Sequence, residues 1–137
     1  MDINSNLLEI KEYTEEGYSP VIDYESWRVA ILNYCRELLP ENITKMQKHN
    51  ESDEVFVLLK GEFILYIADG ENTIENITAA KLEPLKMYNV KKGVWHTHTL
   101  SKDAMVLIVE NVDTDVFNSP EIELNLNERN KIIQLSL

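Results

Sequence analysis

The histidines of this chain fall in two short segments. The first, Gln47-Lys48-His49-Asn50-Glu51-Ser52-Asp53-Glu54, runs into the apolar stretch Val55-Phe56-Val57-Leu58-Leu59 and closes on Lys60-Gly61. The second is Lys91-Lys92-Gly93-Val94-Trp95-His96-Thr97-His98-Thr99. Imidazole and carboxylate are donors that divalent transition metals accept. Taken singly, each His reads as an ordinary hydrogen-bonded residue. Grouped in two segments, with Glu54 at a regular offset from His49, they point to a metal. The sequence has no Ser-His-Asp arrangement, no phosphate-cradling Gly-rich loop and no pair of cysteines.

The two segments resemble the pair of motifs that marks the cupin superfamily. In the first motif the second His matches His49, the Glu matches Glu54 and the closing Gly matches Gly61. Gln47 stands in the place of the first His, and Glu41 in that of the opening Gly. In the second motif Gly93 and His96 match, whereas Leu85, Lys91 and Leu100 stand where Gly, Pro and Asn are usual. The resemblance covers residues 26–113 and implies an all-β fold, the cupin double-stranded β-helix or jelly-roll barrel. It also implies that His49, Glu54 and His96 converge at the barrel mouth as ligands of a divalent metal. Fe, Mn, Ni and Zn all suit two imidazoles and a carboxylate, and such a set leaves positions open for a substrate. The fourth ligand stays open between Gln47, whose amide oxygen is a weaker donor, and His98. Residues two apart in a strand share a face, so His98 points as His96 does, about 6–7 Å further along. That step suits a supporting group or a proton shuttle better than a shared ligand.

The expected function is that of a small cupin that holds a metal and acts on or binds a small polar molecule. The alternatives are a metal-free cupin that binds a sugar-like ligand without catalysis, and a metal-free sugar isomerase or epimerase with a His base and a Tyr acid. Tyr66 and Tyr88 are candidate donors to a ligand, and Arg28 and Lys48 candidate partners for an anionic group. Trp27, Phe56 and Trp95 read as core or pocket wall.

Strands must position these residues. Trp27 to Tyr34 is β-branched and aromatic with no helix-breaking residue; a helix is possible, but β-propensity favours a strand. Glu54 to Leu59 is apolar on both faces after its first residue, as expected inside a two-layer sandwich. Lys60-Gly61 turns into Phe63 to Ile67, and Asp69-Gly70 is a hairpin signal. Thr73–Thr78, Lys86–Val90, Val94–Thr99 and Ala104–Glu110 read as further strands, with Pro84 in a loop or edge segment. Residues 35–46 read as a connection with one helical turn. Residues 1–25 read as an N-terminal arm, in which Leu7, Leu8 and Ile10 form a short helix or an edge strand. Residues 114–137 read as a C-terminal extension, with Leu124–Leu135 a helix or a strand pair. The 137 residues suit a single domain.

The net charge is −11, and the excess acid sits in the ends: residues 1–25 and 103–137 each carry seven acidic residues, while residues 45–102 are balanced. Such a surface repels phosphates and excludes non-specific binding to nucleic acid or anionic membrane. No apolar run has the length of a membrane span. The lone Cys35 fits a reducing compartment, and Met1-Asp2-Ile3-Asn4 lacks the basic and apolar stretches of a secretory leader. The expected location is cytoplasmic. A homodimer is expected, because terminal segments outside a barrel would cover strand edges that otherwise invite pairing.

Overall fold

A computed structural model describes residues 3–115 and 117–137. In chain order its strands are β1 (Tyr18–Tyr24), β2 (Trp27–Asn33), β3 (Lys45–Gln47), β4 (Glu54–Lys60), β5 (Phe63–Asp69), β6 (Glu75–Lys81), β7 (Met87–Val90), β8 (Trp95–Leu100), β9 (Met105–Asn111) and β10 (Glu121–Glu123), followed by helix α1 (Leu126–Leu135). They form two antiparallel sheets, ordered β1-β2-β9-β4-β7 and β10-β3-β8-β5-β6. Only the β1–β2 and β5–β6 connections stay within one sheet; every other connection crosses to the facing sheet, as in a jelly roll.

Period-two alternation builds the space between the sheets. Phe56 and Leu58 of β4, Val106 and Ile108 of β9, and Ala30 and Leu32 of β2 point inward against Phe63 and Leu65 of β5 and Leu100 of β8. A second cluster lies around Tyr66, Trp95, Met46 and Ile43, where Ile132 of α1 is buried. The helix starts in a reciprocal cap: Asn125 Oδ1 accepts from Glu128 N, and Glu128 Oε1 accepts from Asn125 N, both at 2.8 Å. That capping box decides for a helix in a stretch whose apolar pattern also fitted strands.

The sheets extend past residues 26–113 at both ends. Within the arm, Tyr18–Tyr24 pairs with β2, with an irregularity at Pro20 that an edge strand tolerates. In the C-terminal extension, β10 pairs with β3. Leu7, Leu8 and Ile10 form neither helix nor strand and stand exposed. Residues 35–46 hold two short 3-10 turns and the start of β3. The strand expected at Thr73–Thr78 runs instead from Glu75 to Lys81, since the hairpin after Asp69 takes up the residues before it.

Two glycines bear on the site. Gly61 has φ +79°, and a Cβ there would lie 2.5 Å from Ala104 Cα, so the β4–β5 turn excludes any side chain. Gly93 has φ +80°, and its N–H donates to His49 O at 2.7 Å, tying the loop before β8 to the loop before β4.

Candidate metal centre and its cavity

His49, Glu54 and His96 meet at one point, each with one donor atom within 4.8 Å of the others'. Glu54 opens β4 in the inward register that continues as Phe56 and Leu58. His96 lies on β8, opposite Gln47 of β3 and Ile67 of β5. His49 sits in the loop that leads to β4 and is held by Gly93. All three are buried, with 5–7% of their surface exposed.

The hydrogen bonds fix which ring nitrogens face inward. His96 Nδ1 lies 3.1 Å from Val94 O, a carbonyl that can only accept, so Nδ1 carries the proton. His49 Nδ1 lies 2.7 Å from Ser119 Oγ, whose own hydrogen goes to Asn118 Oδ1 at 3.0 Å. Ser119 therefore accepts from His49 Nδ1. In the neutral rings both Nε2 atoms are bare, and they point at the same oxygen, Glu54 Oε1, from 3.1 and 3.0 Å. Two lone pairs facing a carboxylate oxygen repel it unless positive charge lies between them. A proton on either ring or on Glu54 relieves part of that repulsion, and one divalent cation between the rings, 5.1 Å apart, relieves all of it. The spacing fits the cation: ligands at right angles, each about 2.1 Å from an ion, lie about 3.0 Å apart. Burial pushes the Glu54 carboxyl up, but imidazoles carrying a proton on Nε2 outweigh it and hold the group well below the usual carboxylate range, as a cation in the same place would.

The centre opens into a cavity of about 540 Å³, also lined by Gln47, His98, Tyr18, Arg28 and Glu110. Gln47 is at hand but uncommitted; its Nε2 lies 3.5 Å from Ser119 O, at the limit of a hydrogen bond. His98 follows His96 on the inward face and stacks on Phe63 with centroids 5.1 Å apart. It stands outside the three-residue cluster. Burial, with His96 adding to it, lowers the His98 ring to about 4, and its Nδ1 has no partner among the described residues.

Other expected contacts lie elsewhere. Lys48 Nζ donates to Glu71 O at 2.7 Å and sits over the Trp95 ring. Arg28 lines the cavity but forks onto Asp23 through Nε and Nη2, at 2.8 and 3.0 Å. Tyr66 is hydrogen-bonded to Ser136, and Tyr88 accepts from Glu83 N, so neither hydroxyl lines this cavity. Three residues of the site were not anticipated: Glu110, Tyr18 and Ser119. Glu110 carried a signal, because it falls in the inward register of Val106 and Ile108, where a charge needs a reason. Ser119 carried none, being a loop residue that reaches His49 only through the fold.

No model of a known protein family and no curated protein matches the sequence. Solved structures do match. A cupin-2 domain-containing protein from Shewanella frigidimarina is 18% identical over 72% of this chain and 84% of its own, with a TM-score of 0.50. An RmlC-like cupin from Methanocaldococcus jannaschii with a double-stranded β-helix fold is 14% identical over 77% and 91%, at 0.54. A Streptomyces protein solved with uridine, and described elsewhere as a nucleoside dehydratase, is 12% identical over 83% and 84%, at 0.55. At such identities the likeness establishes the fold. The chain is a small protein of cupin fold, with a buried His-Glu-His cluster in its barrel mouth.

Proposed function

We propose that the protein binds one divalent metal on His49, Glu54 and His96 and acts on, or binds, a small polar molecule in the adjoining cavity. The observation that carries this reading is the pair of bare Nε2 atoms aimed at a single oxygen of Glu54. A bound ion supplies a Lewis acid facing the cavity. Fe, Mn, Ni and Zn all accept this donor set. Glu54 offsets the ion's charge, while Val94 O and Ser119 Oγ hold the imidazoles in the tautomer that binds it. Gln47 is the nearer choice for a fourth protein donor; His98 serves as a neutral group on the cavity wall. The uridine bound by the Streptomyces protein represents the size and polarity of molecule the cavity would take.

The metal-free isomerase reading needs a Tyr acid, and among the described residues only Tyr18 brings a phenol to the cavity, where it is bound to Glu110. We take residues 1–137 as one domain. The same reading includes a cytoplasmic homodimer: Cys35 is unpaired, Leu7, Leu8 and Ile10 are exposed, and Glu9 and Lys11 lie beside β1, the end strand of its sheet. The test is elemental analysis of protein stripped with chelator and reconstituted. Wild type should take up about one equivalent of divalent metal and His96→Ala none, with the fold retained. No uptake by wild type, or full uptake by His96→Ala, refutes the metal centre.

A further inference from the structure

The sheet β1-β2-β9-β4-β7 is apolar on both faces. Its inner face packs in the core, and strand alternation sends the intervening residues the other way. The pairing register lines these up across the sheet: Val29, Val109 and Val55 form one row, and Ile31, Leu107 and Val57 the next. Tyr24 and Trp27 stand beside them at one end, with ring centroids 5.9 Å apart. A sheet with one face in water carries polar residues at such positions. Here both rows are free of charge, in a chain of net charge −11. Charge begins at the margins, with Glu25 in the β1–β2 turn and Lys60 opposite Met105.

Among the described residues no helix or sheet packs over this face. The other sheet is different, because α1 closes its outer side and buries Ile132 in the cluster of Tyr66 and Trp95. The six residues of the two rows belong to neither buried cluster and stay half-buried. Nor does the N-terminal arm close over them. Its Leu7 and Ile10 are 83% and 75% exposed, and its Glu9 and Lys11 lie beside Pro20 and Asp23 of β1.

We propose that a second copy of this chain covers the face, with the two five-stranded sheets packed back to back about a two-fold axis. The proposal rests on the homodimer reading and assigns its interface to this face rather than to the edge of β1. Area is the first argument. At about 4.8 Å per strand and about 3.3 Å per residue, the face measures roughly 24 by 20 Å. That is about 480 Å² before side-chain relief is counted, at the upper end of what a monomer exposes as one apolar patch. Trp27 and Met87, 44% and 78% exposed, stand up from it with Tyr24. They bring the surface a copy would cover close to the ~800 Å² per partner of a stable interface. Charge is the second argument. Two such acidic chains repel each other least where neither brings a charge to the contact. An isologous contact also needs only this one surface, presented by both copies.

The test is the oligomeric state of the full chain by sedimentation equilibrium, at concentrations on the order of 1 to 100 μM. Wild type should be a dimer. Val109→Lys, central on the face and directed away from the core, should raise the dissociation constant at least about a hundredfold. Its far-ultraviolet circular-dichroism spectrum should match that of wild type. Leu7→Lys combined with Ile10→Lys, on the arm, should leave the constant within about threefold of wild type. A wild-type monomer overturns the homodimer reading and this proposal with it. A wild-type dimer that survives Val109→Lys overturns the face alone, and the homodimer reading stands. Loss of the dimer on the arm substitutions places the contact at the β1 edge and likewise overturns the face alone. If Val109→Lys does not fold, Trp27→Lys combined with Met87→Lys, both exposed in the single chain, must raise the constant at least about tenfold, or the proposal fails.

Discussion

Ser119→Ala tests the tautomer argument at its least obvious residue. Ser119 is 2% exposed, and its hydroxyl is the acceptor for His49 Nδ1–H at 2.7 Å. Removing it leaves a buried donor unsatisfied, which costs about 1–3 kcal/mol. Part of that cost is relieved if the ring flips or changes tautomer, and either escape spoils Nε2 as a ligand. Loss of such an outer partner lowers metal affinity by about 10–100-fold, or roughly 1.4–2.8 kcal/mol. The assay is zinc competition against a chromophoric chelator, with urea denaturation of the metal-free protein as the control. Ser119→Thr keeps a hydroxyl and should recover most of the affinity if the larger side chain fits. Affinity within about twofold of wild type in Ser119→Ala would refute the assignment of the His49 tautomer, whatever happens to stability.

Two further outcomes follow from the same geometry. Gln47→Ala should lower zinc affinity less than His49→Ala or His96→Ala, and Gln47→His should raise it, because the position borders His96 in the β3–β8 ladder and imidazole is the stronger donor; competition titration of the set checks both. Gly61→Ala should lower the thermal midpoint well beyond Gly93→Ala: both residues have positive φ, worth about 1 kcal/mol each, but only at Gly61 would the new Cβ collide with backbone, at Ala104.

The core of the site was legible because strand alternation and motif spacing constrain the same residues. Glu54 had to face inward if Phe56 and Leu58 did, and His96 had to lie beside it once Gly93 turned the chain. The same logic reached Glu110 in principle, since Val106 and Ile108 set its direction. Residues that act across the fold were not legible. Ser119 lies 70 positions from His49 and Tyr18 lies 92 from Glu110, and nothing local in either stretch encodes those contacts. Strands β1 and β10 were not anticipated for a related reason. Short edge strands such as β1 and β10 are fixed by the partner they pair with: Pro20 interrupts the Tyr, Val and Ile of β1, and the three residues of β10 alternate acid and Ile over too short a run to read alone. The partners of Arg28 and Lys48 were not legible either, because a side chain's charge says nothing of whether a neighbour such as Asp23 already holds it.

The two sheets contribute different chemistry to the cavity, and this bears on what an ion would do there. The sheet of β1, β2, β4 and β9 supplies Tyr18, Arg28, Glu54 and Glu110; the facing sheet supplies Gln47, His96 and His98 from β3 and β8. Between them His49, on a loop, is fastened to the second sheet's approach through Gly93 and to the C-terminal extension through Ser119. Near the mouth the layers touch through apolar contacts such as Phe56 against His96, and through polar contacts centred on Glu54 Oε1. Without positive charge the polar contacts oppose one another. An ion held by Glu54 from one sheet and His96 from the other would turn that repulsion into a link between layers. Binding there would therefore stabilise the barrel mouth as well as prepare the site, because the folded arrangement alone brings the three donors together.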